Sequence, residues 1–345
     1  MTYVLLLAGV AILAWLSVLV PRSGYALGLI VGIVLTLFAG LRATSVDYDE
    51  YLFLLALMDA GESIDLPARL FLGKDLLFGA LMALVIAAGG SGPVLFAASA
   101  VISVGTKWVA FNRAFGQAAA PLLAAAGLYY FIHDFTQIRV AIALGLLYWA
   151  LVEFSLERPY RAAALALAGV LFHASAGMLL LYAPVLRLRG ARRLVIAGVL
   201  TAALVIGMPI VLGVLDVLGA RGELDTGNRG TSWMPLVLAG LKIILLTWML
   251  PAVRARSAAQ LRPLLDHCLL LCWVAVGFIL GFQAASSALA FRTYELFDAF
   301  SVFIVAAAFV NGPIPARIAA LALCAVALLV FAQAGLMTPY SLARF

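Results

Sequence analysis

Four short stretches hold most of the side chains in this sequence that could do chemistry. The first, FIHDFTQIRVAIA (Phe131–Ala143), packs His133, Asp134, Gln137 and Arg139 into seven residues between two apolar runs. Such groups are costly in hydrocarbon unless they are paired. Arg139 heads a run of alanines and leucines, and a guanidinium binds phosphate oxygens bidentately. A diphosphate is therefore one partner for it; a salt bridge to Asp134 or another acid is the alternative. The second stretch, GLRATSVDYDEYLF (Gly40–Phe53), closes an apolar run with Arg42 and continues through Asp47, Tyr48, Asp49, Glu50 and Tyr51. On a helix Asp47 and Tyr51 share a face, as do Tyr48 and Tyr51. The competing reading is an interfacial anchor, with a snorkelling arginine and tyrosines at headgroup level.

The third stretch, LFHASAG (Leu171–Gly177), surrounds His173 with small residues that leave room for a cavity. Imidazole titrates where a general base or acid must, although a lone histidine in an apolar run also fits a satisfied core position. The fourth, FRTYELFDAF (Phe291–Phe300), brings Arg292, Tyr294, Glu295 and Asp298 to the head of another run. Arg292 and Glu295 are spaced for a helix-end ion pair, which competes with a role in binding. No Walker A loop, HExxH, GxSxG or paired CxxC is present, and no trio of ligands suggests a catalytic metal. No cofactor is expected.

The elements that hold these stretches are membrane helices. Of the 345 residues 66% are hydrophobic and 11% charged, and mean hydropathy is +1.14; a soluble domain has roughly a quarter charged residues. Apolar runs recur along the whole length and are continuous rather than alternating, so the fold class is an all-α polytopic membrane protein, one transmembrane domain over residues 1–345. About twelve spans are expected, from Tyr3–Val20 to Ile318–Gln333, among them Ala118–Ile132 and Leu296–Phe309. The N-terminal run reads as a retained first span and not as a cleaved signal. Leu76–Ala88 falls short of the ~20 residues a span needs and is expected as a short re-entrant or interfacial helix. Ala162–Phe172 and Ala174–Leu186 are short runs that meet at His173, a pattern that points to a site within the membrane. The glycine-rich segment Asp216–Trp233 is long enough to be a lid over an outer cavity, or a passive linker. Cys268, Cys272 and Cys324 lie in apolar runs and read as packing residues.

Charge orients the spans. With the first loop placed inside and Leu76–Ala88 kept from crossing, thirteen of the 22 basic residues fall in cytoplasmic segments and eight in outer ones, with Lys242 left inside a span. The net charge of +6 then reflects the positive-inside rule and not nucleic-acid binding. Arg42, Arg139 and Arg292 gather on the outer face.

In this order the four stretches resemble the EpsG family of bacterial polysaccharide polymerases, of the Wzy type. The matching residues are LR-x4-DY-x2-Y (Leu41–Tyr51), F-x2-IR-x2-IA (Phe135–Ala143), FH-x-S-A (Phe172–Ala176) and FR-x-Y (Phe291–Tyr294). Val140 stands where the family commonly has glutamine. The resemblance implies a metal-independent glycosyltransferase of the bacterial inner membrane, with its active site toward the periplasm and an expected kinship to the GT-C glycosyltransferases. Its donor and acceptor would both be glycans on undecaprenyl diphosphate, moving among membrane lipids, with a chain-length regulator as a further partner. Arg42, Arg139 and Arg292 would hold the diphosphate, and His173, Asp47 and Glu295 are the candidate bases. Tyr48, Tyr51, Tyr294, His133, Asp134 and Gln137 would contact the glycan. A flippase for the same lipid-linked glycan, or an O-antigen-type ligase, is the alternative.

Overall fold

The computed structural model describes residues 2–20, 23–60, 75–217, 234–283, 286–335, 337 and 340–342, without the side chains of 209–217 and 288. The greater part of the Asp216–Trp233 segment, including its expected lid, lies outside the described residues. Among the described residues no strand forms, and an isolated β-bridge joins Arg42 to Leu342. In chain order the helices are α1 (Thr2–Leu19), α2 (Gly24–Gly40), α3 (Tyr48–Ala60), α4 (Leu76–Ala87), α5 (Gly92–Phe115), α6 (Ala119–Leu128), α7 (Ile138–Ser155) and α8 (Pro159–Phe172). Two single turns follow, α9 (Gly177–Leu180) and α10 (Ala183–Leu186), then α11 (Gly190–Val217), α12 (Met234–Arg256), α13 (Arg262–Phe282), α14 (Ser287–Asp298), α15 (Ser301–Asn311) and α16 (Ile314–Gln333).

Among the described residues, eight segments are long and apolar enough to cross a membrane, and α2, α4, α6, α8 and Ala174–Leu186 are shorter apolar segments. The short α6 is the hub. Nine of its ten residues are buried, and α1, α2, α15 and α16 pack around it. A helix apolar on every side belongs in an interior. The peripheral α1 and α11 expose Val4, Ile12, Leu194 and Val199, as a surface facing lipid chains requires.

Two expected spans are interrupted. The run expected as Ala118–Ile132 is helical only to Leu128, and residues 129–136 form successive turns. The run expected from Leu296 is interrupted at Ala299–Phe300, where α14 passes into α15. Buried charges account for both breaks. Asp134 receives hydrogen bonds from Lys107 Nζ (2.6 Å to Oδ1) and from the Ser103 hydroxyl. Asp298 receives them from Lys242 Nζ and the Tyr129 hydroxyl, and Lys242 lies 3.0 Å from that same hydroxyl. Asp134 and Lys107 are both buried inside the bundle, because each satisfies the other there. Lys242, unassigned in its span, finds Asp298.

Removing one member of a buried pair strands the other charge and costs about 3–5 kcal/mol, whereas apolar replacement of both is often neutral. Lys242→Met alone should therefore lower the thermal midpoint in detergent strongly, and Lys242→Met with Asp298→Leu should restore most of it. A double variant no more stable than the single would show that the pair is not the unit of stability.

The helix that carries Arg139, α7, is clasped by α5 on one side and α8 on the other. Close approach to α5 depends on Gly145. A Cβ there would meet Thr106 Oγ1 at 2.1 Å and the Ser103 carbonyl oxygen at 2.9 Å. Gly145→Val should destabilise the bundle by about 1–3 kcal/mol or more, read as a lower thermal midpoint.

Candidate active site

The site is built where α2, α7 and α8 end or begin. Arg42 follows the last turn of α2 and is completely buried. The C-terminal segment helps fix it. The Ala43 N–H donates to the Ser341 carbonyl at 2.8 Å, and Tyr340 stacks on Phe38 at 4.2 Å. The guanidinium lies over Phe96 at 4.6 Å and Phe135 at 5.1 Å. Its Nη1 donates to the Ala39 carbonyl, while Nε and Nη2 have no partner among the described residues.

Phe96 belongs to an aromatic cluster with Tyr51 and Phe78. Tyr48 stacks on Phe96 at 4.6 Å, nearly parallel. Arg139 borders the other side of the cluster, 6.0 Å from the Phe78 ring. Two guanidinium groups from distant parts of the chain thus flank one set of rings. Arg292, in α14, is exposed. Burial pushes the Asp47 carboxyl above the usual carboxylate range, and Glu50 adds to the rise. The guanidinium groups of Arg139, Arg292 and Arg42 oppose it.

Arg139 does pair with an acid, but not with Asp134. Its Nη1 donates to Asp75 Oδ2 at 2.8 Å, and its Nε is buried without a partner among the described residues. Asp75 sits just before α4, in extended backbone. Its Oδ1 accepts the Ala174 N–H at 2.7 Å, and its Oδ2 lies 3.6 Å from His173 Nδ1. The other ring nitrogen of His173, Nε2, meets the Ser175 hydroxyl. His173 ends α8 in extended backbone, and a 3-10 turn over Ala174–Ala176 follows. Asp75 thus supplies the acceptor that the interrupted helix lacks at Ala174. Burial alone would raise the Asp75 carboxyl; His173, the Ala174 N–H and Arg139 outweigh it and hold the carboxyl below the usual range.

Sequence reasoning passed over Asp75. An acid placed directly before a short apolar run was the available signal. Nothing in the pattern singled out Phe78 or Phe96. His133 and Asp134, expected to contact a glycan, are buried. His133 stacks on Tyr129 with ring centroids 5.2 Å apart, and Asp134 is held by Lys107. Gln137 is half-buried immediately before α7. Tyr294 and Glu295 lie half-buried on α14.

Fold and site together define a polytopic helical membrane protein with a cluster of arginines and aromatic rings at one end of its bundle. The sequence matches the EpsG family over residues 25–342, and the chain belongs to that family. It is accordingly a polysaccharide polymerase in the general sense, acting by glycosyl transfer on a lipid-linked glycan. Comparison with curated proteins and with solved structures gives no match.

Proposed function

We propose that the chain polymerises oligosaccharide repeat units carried on undecaprenyl diphosphate, at the outer face of the bacterial cytoplasmic membrane. The growing glycan passes from its lipid diphosphate to a hydroxyl of the next lipid-linked unit. That hydroxyl oxygen bonds to the anomeric carbon, the bond from carbon to the diphosphate oxygen breaks, and the electron pair stays on the diphosphate. Fixed cations aimed at that developing charge supply the main stabilisation.

The observation that carries this reading is the buried guanidinium of Arg42. A cation in a protein interior with two unsatisfied nitrogens is costly, and an anion supplied by a substrate removes that cost. Arg139 offers a further unsatisfied nitrogen, and Arg292 is open to a ligand. His173 takes the proton from the acceptor hydroxyl through Nε2, where the Ser175 hydroxyl marks the approach. Asp75 acts through His173 as a positioning residue, its charge 3.6 Å from Nδ1. Tyr48 presents a ring for a sugar to stack on. Asp47 and Glu295 are the remaining bases in this reading. The short helices complete about twelve crossings with α4 kept on the outer side, the bundle is kin to the GT-C glycosyltransferases, and a chain-length regulator is a further partner.

Purified protein in liposomes with lipid-linked repeat units tests the reading. Longer glycans are the expected product; movement of the units between leaflets without elongation would make the protein a flippase instead. The role of His173 has its own test. His173→Gln should lose about 10²-fold in elongation with the thermal midpoint unchanged. Wild-type elongation in His173→Gln would remove it as the base.

A further inference from the structure

Two cavities join at the end of the bundle away from the arginine cluster. The 18 residues of α7 rise about 27 Å from Ile138, beside Arg139, to Ser155, which lines the second cavity. The first is an apolar crevice of about 520 Å³ between α7, α8 and the broken segment Ala174–Leu186. Its walls include Ala150, Ala162, Ala163, Ala166 and Ala183. The second, of about 800 Å³, is lined by Arg187, Arg189, Arg193 and Arg254 against only two acids, Glu157 and Asp266. The two share Phe154, Pro159, Leu186 and Arg187, so hydrocarbon-lined space opens directly into a basic pocket.

The arginines outnumber the acids. Asp266 is engaged by Arg254 at 3.1 Å, and its backbone carbonyl accepts from Arg193 at 3.2 Å. Arg187 lies against an aromatic ring, 5.8 Å from the centroid of Phe154, and both Arg187 and Arg189 are exposed. Their charge is available to a ligand.

We propose that the joined cavities bind one anionic phospholipid of the surrounding bilayer. The phosphate headgroup lies among Arg187, Arg189, Arg193 and Arg254, and an acyl chain lies in the alanine-lined crevice. The occupant follows from the pairing of surfaces. A free phosphate or nucleotide would leave the crevice unused, and a zwitterionic lipid would leave the positive charge unanswered. In a membrane the crevice gains little from the hydrophobic effect, since lipid is already apolar. Its contribution is packing contact with a chain, and the arginines select the headgroup. Held between α8 and α9–α10, the lipid braces the same helix interruption that positions His173 at its other end. The site is separate from the polymerase reading and stands without it.

Native mass spectrometry of the purified protein tests the proposal with phosphatidylglycerol and phosphatidylcholine of identical acyl chains, a polyprenyl monophosphate and inorganic phosphate. Phosphatidylglycerol should be retained in preference to phosphatidylcholine, and less so at higher salt. Arg187→Gln with Arg189→Gln should weaken that retention about 30-fold, at roughly fivefold per arginine. Ala163→Trp, at an exposed wall of the crevice, should weaken it with the arginines intact. Equal retention of the two phospholipids would overturn the proposal, as would unaltered retention in either variant. Displacement of phosphatidylglycerol by equimolar polyprenyl monophosphate would reassign the site to a lipid carrier, and displacement by equimolar inorganic phosphate would reduce it to a free-anion site; both would overturn it.

Discussion

Arg139→Ala should reduce elongation by about 10²–10³-fold, the loss typical when one fixed donor to a developing anion is removed. Arg139 stands between Asp75 and the aromatic ring of Phe78, with Nε left for a substrate oxygen. Arg139→Lys keeps the charge but has no planar fork, so it cannot hold Asp75 and a phosphate oxygen in the same geometry. Partial activity, within about tenfold of the alanine variant, is expected. The assay is the length distribution of glycan made in liposomes, with thermal midpoints taken alongside. Full activity in Arg139→Ala would remove this residue from the site.

Asp75→Asn should have a comparable effect although Asp75 touches no substrate in this account. Asparagine is isosteric and its Oδ1 can still accept the Ala174 N–H, so the interruption after α8 should survive. The charge that anchors Arg139 and faces His173 Nδ1 at 3.6 Å is lost. The expected fall in elongation is about 10²-fold or more, with the thermal midpoint little changed. A merely structural Asp75 would lower the thermal midpoint in step with the activity. The two losses should also be non-additive, since both residues belong to one contact. Asp75→Asn with Arg139→Ala should be little worse than either alone.

The wild-type clamp should tolerate mild acid. The carboxyl of Asp75 is held below its usual range. Its contribution to stability is present in full above the unfolded carboxylate value, about 3.9, and is lost only as pH falls through the lower folded one. Activity lost between pH 7 and 5 therefore does not come from protonation of Asp75.

Much of this was legible in the chain. Continuous apolar runs gave an all-helical membrane bundle, because in hydrocarbon a helix satisfies its own backbone. Arg42, Arg139, His173 and Tyr48 stood out as polar residues at the ends of such runs, and the structure sets Arg42 and Arg139 on either side of one aromatic cluster. Pairing was not legible. Whether Arg139 meets Asp134 or Asp75 depends on which helices touch, and nothing in local spacing records that α4 packs against α8. The polar stretch around His133 was misplaced for a related reason. A turn of buried charge and a loop at the membrane surface have the same composition. They differ only in whether a partner such as Lys107 reaches in from another helix.

The claim on which all of this rests is that the three guanidinium groups grip one diphosphate. The most direct measurement is a structure of the protein with a polyprenyl diphosphate bound. The account predicts phosphate oxygens within about 3 Å of Arg42 Nε or Nη2 and of Arg139 Nε, with Arg292 closing over them. A diphosphate bound elsewhere, with those nitrogens of Arg42 still unpartnered, would contradict it.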